Sequence, residues 1–569
     1  MGAARVEEVA CPIYGSKVGS PVMVLGRDVL VEVLRTEGVR HVFGNPGSTE
    51  LPLMDALAEA DDLHYVLGLQ EATVVGMADG YAQATGRPAF LNLHTSAGLG
   101  NAIGNLTNAR ANRTPLVVTA GQQDYRHITT DPLLSGPLVE LAGGAVKWGH
   151  EVRTAAELGT IMRRAFHDAA AAPTGPVFAA LPMNLLDEEA GPTPPASTMA
   201  GASVGGALEE LADLLTGPAV GQVAVVAGDA VAAAGAVGEV VALAEALGAP
   251  VFGSPLHGRG VFPPLHPLWR GMLSPAATAI HATLEPFERV LLIGEQAFTV
   301  YPYTPGPAVP ATVELLHLSP DPGQLGRVWP VRLGVAGHPA ATVAALLPLV
   351  RARADAPAAR AALEAAARTR AADVAALEAT ALDRYGAAPM DPMAAAHALV
   401  RALPPDSLVV DEAITTGVYV RGFHHWTEPG RYFFCTGGGL GWGMPAACGV
   451  SLAHAGAPVL CVVGDGSAMY SPQALWTAAA EGLPVVFAVV NNRQYKILKG
   501  YLRGRGGPAA QRDRYLGMDL DQPAVDYLAL AESMAVAATR VERAADVGDA
   551  VNAALASGRP HLLELPITA

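Results

Sequence analysis

Three times along the chain, short runs of Val, Leu, Ile and Ala that read as buried strands alternate with stretches of helical spacing. That alternation leaves few folds open. In the first stretch HVFG (41–44), PAFLNLH (88–94) and PLVVTAG (115–121) are strands, and RDVLVEVLRTEGV (27–39) has the apolar period of a helix. The second carries VAVVAG (223–228), APVFGS (249–254), RVLLIG (289–294) and TVELLHL (312–318). The third carries SLVVDEA, PVLCVVGDGS, LPVVFAVVNN and HLLELPI. Strands separated by helical segments require crossover connections and hence parallel sheets. The expectation is an α/β chain of three domains, at 22–186, 207–350 and 390–569, each around a central, mostly parallel sheet. A tail (1–21) precedes them, a Pro/Ser/Gly/Ala-rich linker (187–206) joins the first two, and an Ala-rich, charged, helical connector (351–389) leads to the third.

The charge balance narrows the partners. A formal net charge of −16 repels nucleic acid and anionic lipid, so neither is expected. No apolar run reaches the ~20 residues of a membrane span, and the first twenty residues lack the apolar block of a signal peptide. The four cysteines, Cys11, Cys435, Cys448 and Cys461, form no CxxC pair, which points away from zinc or a disulfide framework and toward a reducing, cytoplasmic location.

PVLCVVGDGSAMYSPQALWTAAAEGLPVVFAVVNN (458–492) reads as strand, Gly-rich turn, helix, strand. Asp465 follows the first strand, and Asn491 and Asn492 follow the second. In a parallel sheet both positions emerge at the carboxyl edge, where ligands bind. A carboxylate and an amide oxygen are hard ligands suited to Mg²⁺. Gly464 and Gly466 let main chain pass close to an anion, and the helix expected after Ser467 can turn N–H groups toward phosphate.

GDGS…NN resembles the thiamine diphosphate motif of the decarboxylase and acetohydroxyacid synthase superfamily. VFGNPGSTELP, LQEATVVGMADGYAQATG, LNLHTSAGLGNAIGNL, TPLVVTAGQQ and FFCTGGGLGWGMPAACGVSLA resemble the benzoylformate decarboxylase branch in particular. The resemblance implies a pyrimidine-binding, a middle and a diphosphate-binding domain, with thiamine diphosphate and Mg²⁺ as cofactors. It implies Asp465, Asn492 and the main-chain oxygen of Gln494 as metal ligands. Gly438, Leu440, Thr415, Gly464, Gly466, Ser467 and Tyr495 would contact the cofactor, with Leu440 as the apolar wedge that keeps it bent. Glu71 would bond the aminopyrimidine N1′, His94 would be an acid–base group, and Ser48 would bind the substrate carboxylate. A homodimer or homotetramer is implied, with each active site between the first domain of one chain and the third domain of its partner.

Three positions depart from that branch. Its second active-site histidine falls on Tyr301, in IGEQAFTVYPYTPG (293–306), and a phenol rarely titrates near neutrality. Ile414 and Ile497, with Tyr501 in the same pocket, add bulk that favours a shorter aliphatic substrate. RGRGG (503–507) reads as a mobile loop near the cofactor. The expected activity is non-oxidative decarboxylation of a 2-oxo acid to an aldehyde and CO₂. The alternatives are carboligation to a 2-hydroxy ketone and, remotely, a non-catalytic cofactor-binding paralogue. A flavin in the middle domain has no support in the sequence.

Overall fold

The structure is a computed structural model that describes residues 24–198, 202–294, 296 and 298–568. The expected tail at 1–21, with Cys11, lies outside the described residues. The first unit contains β1 (His41–Gly44), β2 (His64–Leu67), helix α1 (Glu71–Thr85), β3 (Ala89–Leu93), helix α2 (Thr95–Ala111), β4 (Leu116–Gln122), β5 (Gly149–Glu151) and β6 (Val177–Pro182). They form one sheet in the order β2-β1-β3-β4-β6-β5. Every pairing in it is parallel.

The middle sheet runs through β7 (Val223–Ala227), β8 (Val251–Gly253), β9 (Trp269–Met272), β10 (Arg289–Ile293), β11 (Glu314–Ser319) and β12 (Leu333–Ala336). Its order is β9-β8-β7-β10-β11-β12, again all parallel. The Ala-rich segment that follows is one long helix, α3 (Ala356–Asp383), capped by the Asp355 side chain on the Ala358 N–H.

The third unit contains β13 (Leu408–Glu412), helix α4 (Gly417–Phe423), β14 (Tyr432–Phe434), helix α5 (Gly443–Ala453), β15 (Val459–Gly464), β16 (Val485–Asn491), helix α6 (Lys496–Arg505), β17 (Ala537–Arg540) and β18 (His561–Pro566). Its order, β14-β13-β15-β16-β18-β17, repeats the strand order of the first unit. The central strands of both sheets are buried on both faces, which is why they read as continuous apolar runs rather than alternating ones. In both sheets the chain reverses direction of growth beside the first strand, between β1 and β3 and between β13 and β15. Such a reversal opens a crevice at the carboxyl edge.

Outer units share one core. A single apolar cluster reaches from Phe43 through Met77 and Trp442 to Leu562. It exists because α1 and α5 are rich in Gly and Ala and can cross with main chains nearly touching; a Cβ at Gly80 would stand 2.3 Å from the Ala446 carbonyl oxygen. Polar groups seal the crossing. Trp442 Nε1 donates to Asp79 at 2.8 Å, and Thr477 Oγ1 donates to the Leu67 carbonyl at 2.9 Å.

RGRGG is not a loop. Arg503 and Arg505 form the last turn of α6, and Gly506 caps it at φ 63°. Two arginines favour the negative end of a helix dipole, and glycine adopts the left-handed cap without strain. Among the described residues no helix is long and apolar enough to cross a membrane.

Candidate active site

At the first sheet's reversal point the chain leaves β1 as Asn45-Pro46-Gly47-Ser48. This turn holds two catalytic candidates at once. Asn45 Nδ2 donates to Glu71 Oε1 at 3.2 Å, and Asn101 Nδ2, from α2, donates to Oε2 at 3.1 Å. The Glu71 carboxyl is thereby clamped at the first residue of α1 and is buried. Gly47 meets the His94 ring face to face; a Cβ there would stand 2.2 Å from Nδ1, so only glycine fits.

His94 follows β3 directly and stands at the N-cap position of α2. Its Nδ1 pairs with Glu50 Oε2 at 2.8 Å and lies 3.2 Å from Thr49 Oγ1. Glu50 is itself fixed by the N–H groups of Gly47 (2.9 Å) and Gly121 (2.9 Å) and by the Thr49 hydroxyl (2.8 Å). The next residue, Thr95, is buried at φ 46°, an unusual conformation for a β-branched residue, and its hydroxyl finds no partner among the described residues. Ser48 stands exposed at the mouth of the same turn.

The third unit brings together what its two loops carry. Asp465 sits at the carboxyl edge of β15 and opens a short helix, Asp465–Ala468. It buries Gly466 and Ser467, with Gly464 half-buried as its cap, and the helix expected after Ser467 follows as Ala474–Ala480. Burial pushes the Asp465 carboxyl up to about 6, against the N–H groups of Gly466, Arg493 and Gln494. Main chain of the distant Asn-Asn loop thus lies against this carboxylate. Asn491 donates to Glu564 at 2.8 Å while its oxygen accepts the Arg493 N–H at 3.0 Å, and the Asn492 amide oxygen accepts the Gln494 N–H at 3.0 Å. Tyr495 packs its ring where a Gly466 Cβ would be, 2.5 Å from the nearest ring atom. Its N–H donates to the Met518 carbonyl at 2.9 Å, which pins the loop.

The GGGLG loop, with Gly438 exposed and Leu440 half-buried, is held from both sides. Asn108 Nδ2 of α2 donates to the Gly439 carbonyl at 2.9 Å, and Asn105 Nδ2 spans the Ala72 carbonyl (2.7 Å) and that of Gly441 (3.3 Å). From below, Glu412 accepts the N–H groups of Gly441 (2.6 Å), Trp442 (3.3 Å) and Gly443 (2.8 Å), and burial drives its carboxyl up to about 7. Ile414 and Thr415 follow at the same edge, Ile414 being 42% exposed. Tyr301 reaches over from the middle unit to Tyr501 of α6, ring centroids 5.9 Å apart, with Ile497 41% exposed on the same helix. The residues named from the sequence thus form a first-unit group and a third-unit group, joined within the chain by the α2 asparagines.

Asn45, Glu50, Asn101 and Glu412 did not stand out in the sequence. Only Glu50 left a local sign, an acid at the third position of the short helix after Gly47, where it accepts that residue's N–H.

Do these residues fit a divalent cation and a diphosphate? Asp465 Oδ2 is buried with no hydrogen-bond partner among the described residues, an arrangement that a cation would relieve. Among those residues no group of three or more His, Cys, Asp or Glu side chains converges. A cation here would draw its remaining ligands from amide, main-chain and phosphate oxygens, as Mg²⁺ does. The fit is good.

Known proteins identify the family. The model of the thiamine pyrophosphate enzyme N-terminal TPP binding domain matches residues 25–137, that of the central domain 208–346 and that of the C-terminal TPP binding domain 415–565. Benzoylformate decarboxylase of Pseudomonas aeruginosa is 36% identical over 544 residues, 94% of this chain and 97% of its own. The acetolactate synthase large subunit of Parasynechococcus marenigrum is 28% identical over 580 residues, 98% of this chain and 89% of its own. The thiamine diphosphate-dependent 4-hydroxybenzoylformate decarboxylase of Rhodococcus jostii RHA1 superposes with a TM-score of 0.85 at 32% identity, covering 96% of this chain and 99% of that one. With three domain models matched in this order and a relative 36% identical over 94% of the chain, the chain belongs to the thiamine pyrophosphate enzymes, in the family of the decarboxylases and acetolactate synthases.

Proposed function

We propose that the chain is a Mg²⁺-dependent, non-oxidative decarboxylase that turns a short aliphatic 2-oxo acid into an aldehyde and CO₂. The observation that carries this reading is the paired clamp on one turn, with Glu71 held by Asn45 and Asn101 and His94 held by Glu50. Thiamine diphosphate, when bound, supplies the electron-deficient ring that accepts the electron pair released as CO₂ departs. Asp465, Asn492 and the Gln494 carbonyl would hold Mg²⁺ against the diphosphate. Gly464, Gly466, Ser467 and Tyr495 would line that end, and Gly438, Leu440 and Thr415 the pyrimidine end.

Glu71 would share a proton with the pyrimidine N1′ of the bound cofactor, its carboxyl held in place by the two amides. His94 has its Nδ1 committed to Glu50, so Nε2 is the atom left to move a proton. The Ser48 hydroxyl donates to the substrate carboxylate. Ile414 and Ile497 fill the side-chain pocket; a methylene of misfit there is worth about 1–3 kcal/mol of discrimination. A second copy of the chain completes the pocket, a reading supported by the exposure of Ile414, Ile497 and Tyr301 in the single chain.

Carboligation is the second reading, favoured by Tyr301. Burial and the neighbouring Tyr301 raise the Tyr501 phenol above its usual value, so Tyr501 delivers a proton poorly near neutrality and leaves time for a second carbonyl compound to react.

The test is a panel of short, branched and phenyl-bearing 2-oxo acids with Mg²⁺ and cofactor, following CO₂ and carbonyl products. Aliphatic acids should give CO₂ and one aldehyde, and Glu71→Gln should nearly abolish turnover with the fold intact. A 2-hydroxy ketone as main product selects the second reading. Consumption of phenylglyoxylate alone removes the pocket inference but not the decarboxylase, whereas full activity in Glu71→Gln removes the mechanism.

A further inference from the structure

We propose that a crevice away from the catalytic groups, where the edge of the middle sheet meets α3 and α4, is a second binding site, for a small organic anion with a flat ring. The crevice has a volume of about 350 Å³, within the range of small-molecule sites, roughly 300–1,000 Å³. Arg259, Arg270, Arg370 and Arg421 line it, and no Asp or Glu does. In a chain of net charge −16 that concentration of guanidinium groups is not a product of composition.

Nearby carboxylates offset it only in part, Asp373 at Arg370 and Asp229 and Asp411 at Arg259 and Arg421, and none of them lines the crevice. Arg421 donates to the His257 carbonyl at 2.8 Å and packs over the Tyr432 ring at 4.8 Å, so it is a fixed wall. Arg370 donates twice to the Pro264 carbonyl, at 3.2 and 2.6 Å, a neutral acceptor. Burial lowers the Arg370 pKa, and the nearby Arg270 adds to that effect while Asp373 opposes it. The carboxylates behind Arg259 and Arg421 are already engaged. Asp229 accepts the N–H groups of Gly258 (2.8 and 3.0 Å) and Arg259 (2.9 Å), and Asp411 accepts the Tyr432 hydroxyl (2.7 Å) and the Ala413 N–H (2.9 Å). Two lining histidines add unfilled capacity. His257 and His424 are buried, and each leaves one ring nitrogen, Nε2 and Nδ1 respectively, without a partner among the described residues.

The remaining wall selects the shape of the ligand. Trp269 stacks on Phe262, centroids 5.8 Å apart and planes at 18°, and Trp426 packs against Gly260 so closely that a Cβ there would stand 2.8 Å from its ring. Buried aromatic faces beside guanidinium groups suit a flat ring bearing a carboxylate or a phosphate. An occupant would touch Val418 and Arg421 of α4, the helix that follows directly on Ile414–Thr416. It would therefore brace the loop assigned above to the substrate pocket; that consequence rests on the proposed function, whereas the binding itself does not.

Cofactor-saturated protein should be titrated calorimetrically with benzoate and with adenosine monophosphate, which separate a carboxylate from a phosphate source, and with inorganic phosphate as the ringless comparison. At least one ringed anion should bind, with phosphate ten-fold weaker or more. Arg259→Gln and the exposed Arg270→Glu should each weaken it about ten-fold, and Ser48→Ala should not change it. Should Arg259→Gln fail to fold, Arg270→Glu decides alone. The proposal is overturned if no probe binds below about 1 mM, if binding survives the arginine variants, or if Ser48→Ala abolishes it.

Discussion

One tight turn, Asn45 to Ser48, serves both catalytic candidates of the first unit: Asn45 orients Glu71 while Gly47 seats the His94 ring. Glu50 completes the arrangement without being able to reach the reacting atoms, since its oxygens are consumed by Gly47, Gly121, Thr49 and His94. It is a positioning residue. Glu50→Gln should lower kcat about ten- to a hundred-fold, part of the ~10²–10⁴ that a placed acid–base group contributes, with KM and thermal stability little changed. Steady-state kinetics beside a melting curve check this; a loss of stability with kcat intact would show that Glu50 only supports the fold. His94 and Glu71 were legible in the sequence because each closes a recognisable motif. Glu50 and Glu412 were not, because most of what they bind is main-chain N–H, which carries no residue identity.

At the scale of elements, the crossing of α1 and α5 is the critical contact. A Cβ on Gly449 would lie 1.9 Å from the Met77 carbonyl oxygen and 2.8 Å from the Tyr81 nitrogen, both main-chain atoms that cannot yield. Gly449→Ala should therefore cost about 1–3 kcal/mol, the range for overpacking. Urea unfolding measures it, and an unchanged midpoint would mean that the helices can part. The same variant should disturb the GGGLG loop, because α5 begins where Glu412 and Asn105 hold that loop. The strands of this region were readable as apolar runs, but α1 and α5, buried on nearly all sides, carry no alternation of polar and apolar faces to mark them. Where RGRGG was expected to be a loop, the arginines instead close α6, since two glycines in sequence say nothing of where a helix stops until its cap is formed.

At the scale of the molecule, the single chain leaves apolar surface where the substrate pocket is proposed: Ile414, Ile497 and Tyr301, the last 57% exposed. The proposed function covers this surface with a second copy of the chain. Sedimentation should give a dimer or tetramer, and specific activity should fall on dilution below the concentration at which it dissociates. A fully active monomer at every concentration would confine the site to one chain. The common strand order of the first and third sheets puts a similar crevice at a reversal of each, one for each end of the cofactor in the proposed reading.

The amino-acid order alone determined the three parallel α/β units, the pairing of Asp465 with the Asn-Asn loop and the family, because buried strands, helical periods and Gly-Asp-Gly turns are local patterns. Only the tertiary structure decided that Asn45 and Asn101 converge on Glu71, that Glu50 locks His94, and that four arginines from three parts of the chain meet in one crevice. The physical reason is range. A hydrogen bond or a charge acts across a few ångströms of space whatever the distance along the chain, and no local pattern records which distant residues folding will bring within that reach.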